Sequence, residues 1–536
     1  MRAYASSCRA NYETHDLDPG SRDPTIARAE TELADPEDPE IGPPVPASAL
    51  VELAARAADG LPRRATEGRS SAQGLTREIA SLAWPVMASQ VLLSLTGLVD
   101  RMMIGRLAEE GSAAIPLAAV GYATQLFFLI HSTLVAVGLA CVALMARAIG
   151  AGDTSRARHA FAASVQISGL LTLVYVATIF VAGESILEAL GAETSVIRIA
   201  LPYLNLSLLA ALMLSISLMV ESALRAARNT RTPMFIAVAV AIVKLSLNAV
   251  LIFGLLGMPR LELVGAGLAT AISQGIGLVL FLAVLARTRP GTPTALRLRD
   301  LLRVSPASRE VIRISLPSIG ERIVLNLGLL SYFWVLSRWY GTIAVAAYTV
   351  GIAILRFSWI PGTGYSQACT TLVGQALGAK RAELAKRTGQ RTVLLAIATA
   401  IPLGILCAWL RGPLARLFTE DLAVVAALGP FMLTLAFAQP ILQLHFAFAG
   451  AHKGAGDMLT PLVAAMVGNW AIRIPIAVIA GGLLELDVVW VWMALVFDHL
   501  GRAIYLGVSF LRGRWLEVSG AAAAPRIRPL SPRSRS

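Results

Sequence analysis

Ala146-Arg-Ala-Ile-Gly-Ala-Gly-Asp153 returns later in the chain as Gly374-Gln-Ala-Leu-Gly-Ala-Lys-Arg381. A second stretch, Ala223-Leu-Arg-Ala-Ala-Arg-Asn-Thr-Arg-Thr-Pro233, returns as Ala451-His-Lys-Gly-Ala-Gly-Asp-Met-Leu-Thr-Pro461. The spacings agree: 378−150, 460−232 and 347−119 (Ala119 with Ala347) all equal 228. Pro85 and Pro317 stand 232 apart, which places four extra residues in the first extracellular connection of the first half. The apolar part of the chain is written twice.

Between these echoes the sequence is greasy. Of 536 residues 56% are hydrophobic and only 15% charged, with a mean hydropathy of +0.66. Soluble domains carry about 25% charged residues, so the chain reads as a polytopic membrane protein. Crossing the hydrocarbon core takes roughly 20 apolar residues. Twelve runs qualify, centred near Leu93, Ile130, Leu171, Leu212, Val243, Leu278, Leu329, Ile360, Ile397, Phe437, Met466 and Phe497. Six spans per copy is an even number, so the halves are parallel and related by an axis along the membrane normal. The expected architecture is all-α, with twelve transmembrane helices in two parallel-related six-helix lobes. The N-lobe (helices 1–6) covers 76–290, a basic cytoplasmic linker covers 291–314, and the C-lobe (helices 7–12) covers 315–515. Residues 1–75 are rich in Pro, Asp, Glu and Arg and lack an apolar signal core, so they read as a disordered cytoplasmic tail. The basic stretch 516–536 reads likewise.

Net charge is +12, but the basic residues sit in short connections between apolar runs rather than in a nucleic-acid-binding patch. Arg147, Arg156 and Arg158 follow the second run, Arg225, Arg228 and Arg231 the fourth, and Lys380, Arg381, Lys386 and Arg387 the eighth. The intervening connections carry acids such as Glu184, Glu188 and Glu193. The positive-inside rule then puts both termini in the cytoplasm and the protein in the cytoplasmic (inner) membrane. Cys8, Cys141, Cys369 and Cys407 show neither pairing nor metal spacing, and the last three read as small packing residues. The glycine corners lack a preceding strand and a Gly-Lys-Ser/Thr, so they are tight turns rather than phosphate loops. No cofactor, metal or nucleic acid is expected. With no ATP-binding motif, an ion gradient has to supply the energy.

Asp100 closes the run Val91-Leu-Leu-Ser-Leu-Thr-Gly-Leu-Val-Asp100, and Lys244 lies inside a later one. A charge at such depth costs roughly 2.5–3.5 kcal/mol on insertion scales, so the two are expected to form one unit across the first and fifth spans. Lys244 and Asn248, four apart, share a helix face. A carboxyl held away from water can load and release a proton. In the second half Glu321, Arg356, Arg473, Asp498 and Arg502 lie near or within spans, with Glu321–Arg473 as one conceivable pair. Subtracting 232 from Glu321 gives Ser89, and adding 228 to Lys244 gives Ile472. The scaffold repeats and its charges do not. His131, His445 and His452 stand apart from one another in sequence.

Leu82-Ala-Trp-Pro85, Leu98-Val-Asp-Arg-Met-Met-Ile-Gly105, Ala118-Ala-Val-Gly121, Asn229-Thr-Arg-Thr-Pro233 and Leu251-Ile-Phe-Gly254 resemble the multidrug and toxic compound extrusion (MATE) family. So do Pro361-Gly-Thr-Gly-Tyr365, Thr370-Thr-Leu-Val-Gly-Gln-Ala-Leu-Gly-Ala379 and Gly454-Ala-Gly-Asp457 in the second half. The resemblance spans roughly 78–515 and is closest to the DNA-damage-inducible branch. It implies a V-shaped pair of six-helix lobes that export organic, often cationic, compounds in exchange for protons or sodium ions. It further implies that Asp100 is the coupling-ion acid of the first span, that Tyr203 and Thr270 belong to the same N-lobe site, and that Glu321 is an acid many members carry. The family's common pattern of asparagine then aspartate four residues on is replaced here by Lys244 and Asn248. An ammonium in that place repels a cation, which argues for protons over sodium.

The reading is therefore a monomeric secondary antiporter rather than an enzyme, with a coupling-ion and substrate site at Asp100, Lys244, Asn248, Tyr203, Thr270 and Glu321. Its partners are small organic substrates, protons or sodium ions, and the lipid bilayer. A lipid-linked oligosaccharide flippase on a related fold is one alternative, and would turn Arg322, Arg356 and Arg473 towards a central cavity. A membrane-embedded enzyme is another, and would need acids or histidines gathered at one interface.

Overall fold

Among the described residues, twelve long helices make up the fold. The computed structural model describes residues 72–106, 114–303, 305–418 and 421–518. The first six are α1 (Ala72–Arg106), α2 (Ala114–Gly150), α3 (Thr154–Ala189), α4 (Thr194–Ala226), α5 (Arg231–Phe253) and α6 (Glu262–Ala286). The second six are α7 (Ala307–Trp339), α8 (Gly341–Gly378), α9 (Ala382–Trp409), α10 (Leu422–Gly454), α11 (Leu459–Leu483) and α12 (Val488–Arg512). Each contains a stretch long and apolar enough to cross a membrane, and each of the twelve centres named from the sequence falls within its own helix.

The 228-residue offset survives in three dimensions. It carries α4 onto α10 end for end, and the internal prolines Pro202 and Pro430 fall on equivalent positions. The corners are the tight turns expected. Gly152 (φ 76°) and its counterpart Lys380 (φ 58°) close α2 and α8 in left-handed conformations. Asn229 and Asp457, also counterparts, each accept the backbone N–H three residues on, from Thr232 and Thr460, both at 3.1 Å. Burial alone would raise the Asp457 carboxyl. Hydrogen bonds with His452 and from Thr460 outweigh that and hold it below the usual range.

Several boundaries differ from expectation. α1 starts at Ala72, inside the stretch 1–75 read as disordered, and the rest of that tail lies outside the described residues. α7 starts at Ala307, inside the expected linker 291–314, and a short helix, Leu298–Leu301, precedes it. A last turn, Arg514–Val518, runs past residue 515. The four extra residues of the first connection fall in 107–113, outside the described residues. The extensions of α1 and α7 share one cause: their first turns bury apolar side chains in the opposite lobe. Leu75, Ile79, Leu82 and Ala83 pack with Tyr365, Ala368 and Leu372 of α8. Reciprocally, Val311 of α7 is fully buried in the core of α2, α3 and α4. Periodicity marks the membrane span of such a helix, not the length it gains by crossing to the other lobe.

Small residues set the packing distance, as in other membrane bundles where lipid offers no hydrophobic drive to association. Ala136, Ala140 and Ala143 of α2 and Ala210 and Ala211 of α4 are fully buried. Cys141, Cys369 and Cys407 are buried packing residues too. The closest approach is between lobes, at the arginine-rich helix ends. A Cβ on Gly150 would sit 2.0 Å from the Gln375 carbonyl oxygen, and one on Gly378 would sit 1.9 Å from the Arg147 carbonyl oxygen. These two contacts are the same contact seen from each copy, since 150 and 147 map onto 378 and 375. Side chains ring the seam. Arg228 donates to Gln375 at 2.5 Å and pairs with Glu78, Arg225 donates to Gln367, and Gln375 Nε2 donates to the Ala226 carbonyl at 2.7 Å.

A backbone seam this tight cannot absorb a methyl group. Gly378→Ala is expected to pry the helix ends apart. An Ala146→Cys reporter, fully buried in the native chain, should then react with a maleimide severalfold faster than in the glycine background. Equal labelling rates would show that the glycines do not hold this end shut.

Candidate functional site

The first helix presents Asp100 one turn and a half before its end, and the fifth presents Lys244 and Asn248 on one face. α1 packs along α5, and the two charges meet. Lys244 Nζ donates to Asp100 Oδ2 at 2.5 Å and Asn248 Nδ2 donates to Oδ1 at 2.6 Å. Both carboxylate oxygens thus have a donor, as charge-assisted bonds at low dielectric require. The Asp100 and Lys244 side chains each retain 19% exposure, so the pair is sheltered yet reachable. Asn248 is buried at 1% exposure, and its Oδ1 has no hydrogen-bond partner.

The pair forms one wall of a cavity of about 180 Å³ between α1, α2, α4, α5 and α6. Tyr203 and Thr270 line it, so five of the six residues chosen from the sequence surround one space. The Thr270 hydroxyl is spent on its own helix, donating to the Ala266 carbonyl at 2.9 Å. Thr124, Phe127 and Ser207 line the cavity as well and were not singled out in the sequence. Their signal was helical spacing: Val120, Thr124 and Phe127 recur on one face of α2, and Ser207 follows Tyr203 by one turn.

Glu321 does not join them. It lies in the other lobe and donates nothing to this cavity; its carboxylate accepts from Lys453 Nζ at 3.0 Å. The reason is its place on α7. The counterpart of Asp100 at the 232 offset is Tyr332, eleven residues further on (332−321), or about 16 Å of helix. The supposed Glu321–Arg473 pair is also absent, because Arg473 pairs with Asp498. Arg502 grips the same carboxylate with two bonds, at 2.5 and 2.7 Å. Asp498 is fully buried. Room for it comes from Gly468 in the π-helical segment Val467–Arg473, where a Cβ would sit 2.0 Å from Asp498 Oδ1.

The offset exposes a relation that pairing by sequence had hidden. Thr270 maps onto Asp498, Lys244 onto Ile472 beside Arg473, and Asp100 onto Tyr332, over whose ring Arg473 sits at 5.7 Å from the centroid. Each lobe therefore holds an acid–base pair in the same region, with the base on equivalent helices (α5 and α11) and the acid on non-equivalent ones (α1 and α12). The histidines also have neighbours: His445 stacks on His499 at 4.9 Å, and His452 Nδ1 lies 3.0 Å from Asp457 Oδ2. Arg473 turns into its own bundle, so the flippase reading loses one of its three arginines. Among the described residues, no three His, Cys, Asp or Glu side chains gather as a metal site would need.

Comparison with known proteins agrees with this fold. The family model MatE matches residues 85–250 and 317–479, the two copies of the repeat. A probable multidrug resistance protein NorM of Bradyrhizobium diazoefficiens is 31% identical over 451 residues, 82% of this chain and 93% of that one. Its counterpart in Thermotoga maritima is 26% identical over 449 residues, again 82% and 93%. Among solved structures, an outward-facing multidrug resistance MATE family transporter superposes with a TM-score of 0.77 at 22% identity, covering 86% of this chain and 100% of that one. The bent form of the Vibrio cholerae MATE transporter VcmN gives 0.76 at 20% identity, covering 84% and 98%. With its duplicated six-helix lobes matched in both halves, this chain belongs to the MATE family of multi-pass membrane transporters.

Proposed function

We propose that the protein is a secondary antiporter that exports organic compounds bearing a cationic group in exchange for protons, acting as a monomer in the cytoplasmic membrane with both termini inside. The observation that carries this reading is the Asp100–Lys244–Asn248 unit on the wall of a cavity. One carboxylate there can be held by one of three cations: the Lys244 ammonium, a proton, or a cationic group of the exported compound. Exchange follows from that competition, because a bound proton and a bound cationic group exclude each other. The lobes respond as alternating states biased by whichever occupant is present. Names of relatives that speak of multidrug resistance support the breadth of substrate.

Protons fit the site better than sodium. A hard cation seeks several oxygen ligands, whereas both oxygens of Asp100 already accept from nitrogen donors and Lys244 adds a positive charge. In sealed vesicles, efflux is expected to follow an imposed pH gradient. Efflux driven by a sodium gradient at fixed pH and zero membrane potential would overturn proton coupling.

Asp100→Asn keeps the shape of the side chain and removes its titration. The variant is expected to fold and to lose gradient-driven export by at least about tenfold, a loss of roughly 1.4 kcal/mol or more in transition-state terms. Gradient-dependent efflux at the native rate would refute the role of this acid.

Lys244 competes with the proton for the same carboxylate. Lys244→Met is expected to move the pH optimum of transport upward in the native background and to change nothing further once Asp100 is Asn. A double-mutant cycle on initial efflux rate and thermal stability reads the coupling. Additive effects would show that the two residues act independently.

A further inference from the structure

Charge in the N-lobe cavity sums to zero. Asp100 contributes the negative charge, Lys244 the positive one, and the other lining side chains used here, Asn248, Tyr203, Thr270 and Phe127, are uncharged. A guest carrying only a cation would leave the sheltered space at +1, with the ligand's charge and Lys244 side by side around one carboxylate. A guest carrying only an anion would leave it at −1. Uncompensated charge in such a setting costs several kcal/mol. Only a guest that is itself balanced keeps the account at zero.

Hydrogen bonding points the same way. The Lys244 ammonium has three N–H groups, of which Asp100 takes one. Asn248 Oδ1 is buried without a donor, and an unmet buried acceptor is destabilising until something satisfies it. A ligand ammonium beside Asp100 would donate to the carboxylate, and a half-turn of the Asn248 amide would bring Oδ1 towards it as a second acceptor. A ligand carboxylate would accept from Lys244 once the ammonium swings off Asp100. One internal ion pair would be exchanged for two intermolecular ones.

We infer that the N-lobe cavity selects zwitterions, with Asp100 and Asn248 binding the ligand's cationic group and Lys244 its anionic group. This rests on the antiport reading and sharpens it, since a proton on Asp100 removes the cationic subsite and expels the ligand. It also assigns Lys244 a second task, recognition of an anion, beyond its contact with Asp100. The volume of about 180 Å³ suits a ring-sized body between the charges: an apolar cavity of roughly 150 Å³ holds benzene.

The test is equilibrium binding to the purified full chain in detergent at neutral pH, using three ring-sized probes. 4-(Aminomethyl)benzoate is the zwitterion, its methyl ester the monocation, and 4-methylbenzoate the monoanion. The native protein is expected to bind the zwitterion about tenfold or more tightly than either analogue. Lys244→Met should invert the order between zwitterion and ester, because the carboxylate is then free for a lone cation. Lys244→Arg, which keeps the charge, should retain the native order and serves if the methionine variant does not fold. A native preference for the ester, no binding of the zwitterion at millimolar concentration, or an unchanged order in Lys244→Met would each overturn the inference. No gradient enters this measurement. Selective binding without proton-driven efflux would sink antiport alone, and proton-driven efflux with ester preferred would sink the zwitterion alone.

Discussion

A charge set at membrane depth has to find its counter-charge within the protein, and the interior of both lobes is organised around that requirement. In the N-lobe the constraint joins α1 to α5 through Asp100 and Lys244. In the C-lobe it joins α11 to α12 through Arg473, Asp498 and Arg502. Hydrocarbon supplies neither hydrogen-bond donors nor acceptors, so each acid draws in enough donors to satisfy both its oxygens. The helix packing around each pair follows.

The two solutions differ in what they leave over. Asp498 is fully buried between two guanidinium groups, and one of them, Arg473, lies over Tyr332 in an aromatic cluster with Tyr348, Phe431 and Trp492. Asp100 has one ammonium and one amide, and beside it is open volume. An arginine holds a carboxylate in a rigid two-pronged grip, whereas a lysine offers a single mobile point of charge. The first arrangement suits a fixed strut; the second suits an exchange site, where the resident cation can be displaced. One duplicated scaffold thus carries a fully enclosed pair in one copy and a pair that borders a cavity in the other.

Between the lobes a different force rules. The seam at Gly150 and Gly378 is made of backbone on backbone, with no side chain between, and is ringed by Arg225, Arg228, Glu78, Gln367 and Gln375. Dispersion over such a close approach is collectively large, and a gap of roughly 0.5–1 Å forfeits a quarter to a half of it. Polar bonds at the same end can be replaced by water when the lobes part. The contact is therefore held by close backbone packing together with polar bonds at one end of the lobes.

Much of this was legible in the sequence because it is written in periodicity. Twelve runs, the 228-residue offset and the alternation of arginine-rich connections prescribe twelve helices in two equivalent lobes, since length and apolarity alone decide whether a helix can span a bilayer. Asp100, Lys244 and Asn248 were also legible, because charges at depth are costly and helical spacing puts two of them on one face. The reach of α1 and α7 into the opposite lobe was not, nor the place of Glu321, nor the pairing of Arg473 with Asp498. Those depend on which helices become neighbours, and the pairing energy of a charge is indifferent to the helix that bears it. The acid of such a pair can stand on α1 in one lobe and on α12 in the other, with its base on the equivalent helices α5 and α11, without changing the scaffold. Only the folded structure, which fixes distances between helices far apart in the chain, decides which acid meets which base and which of them faces an open cavity.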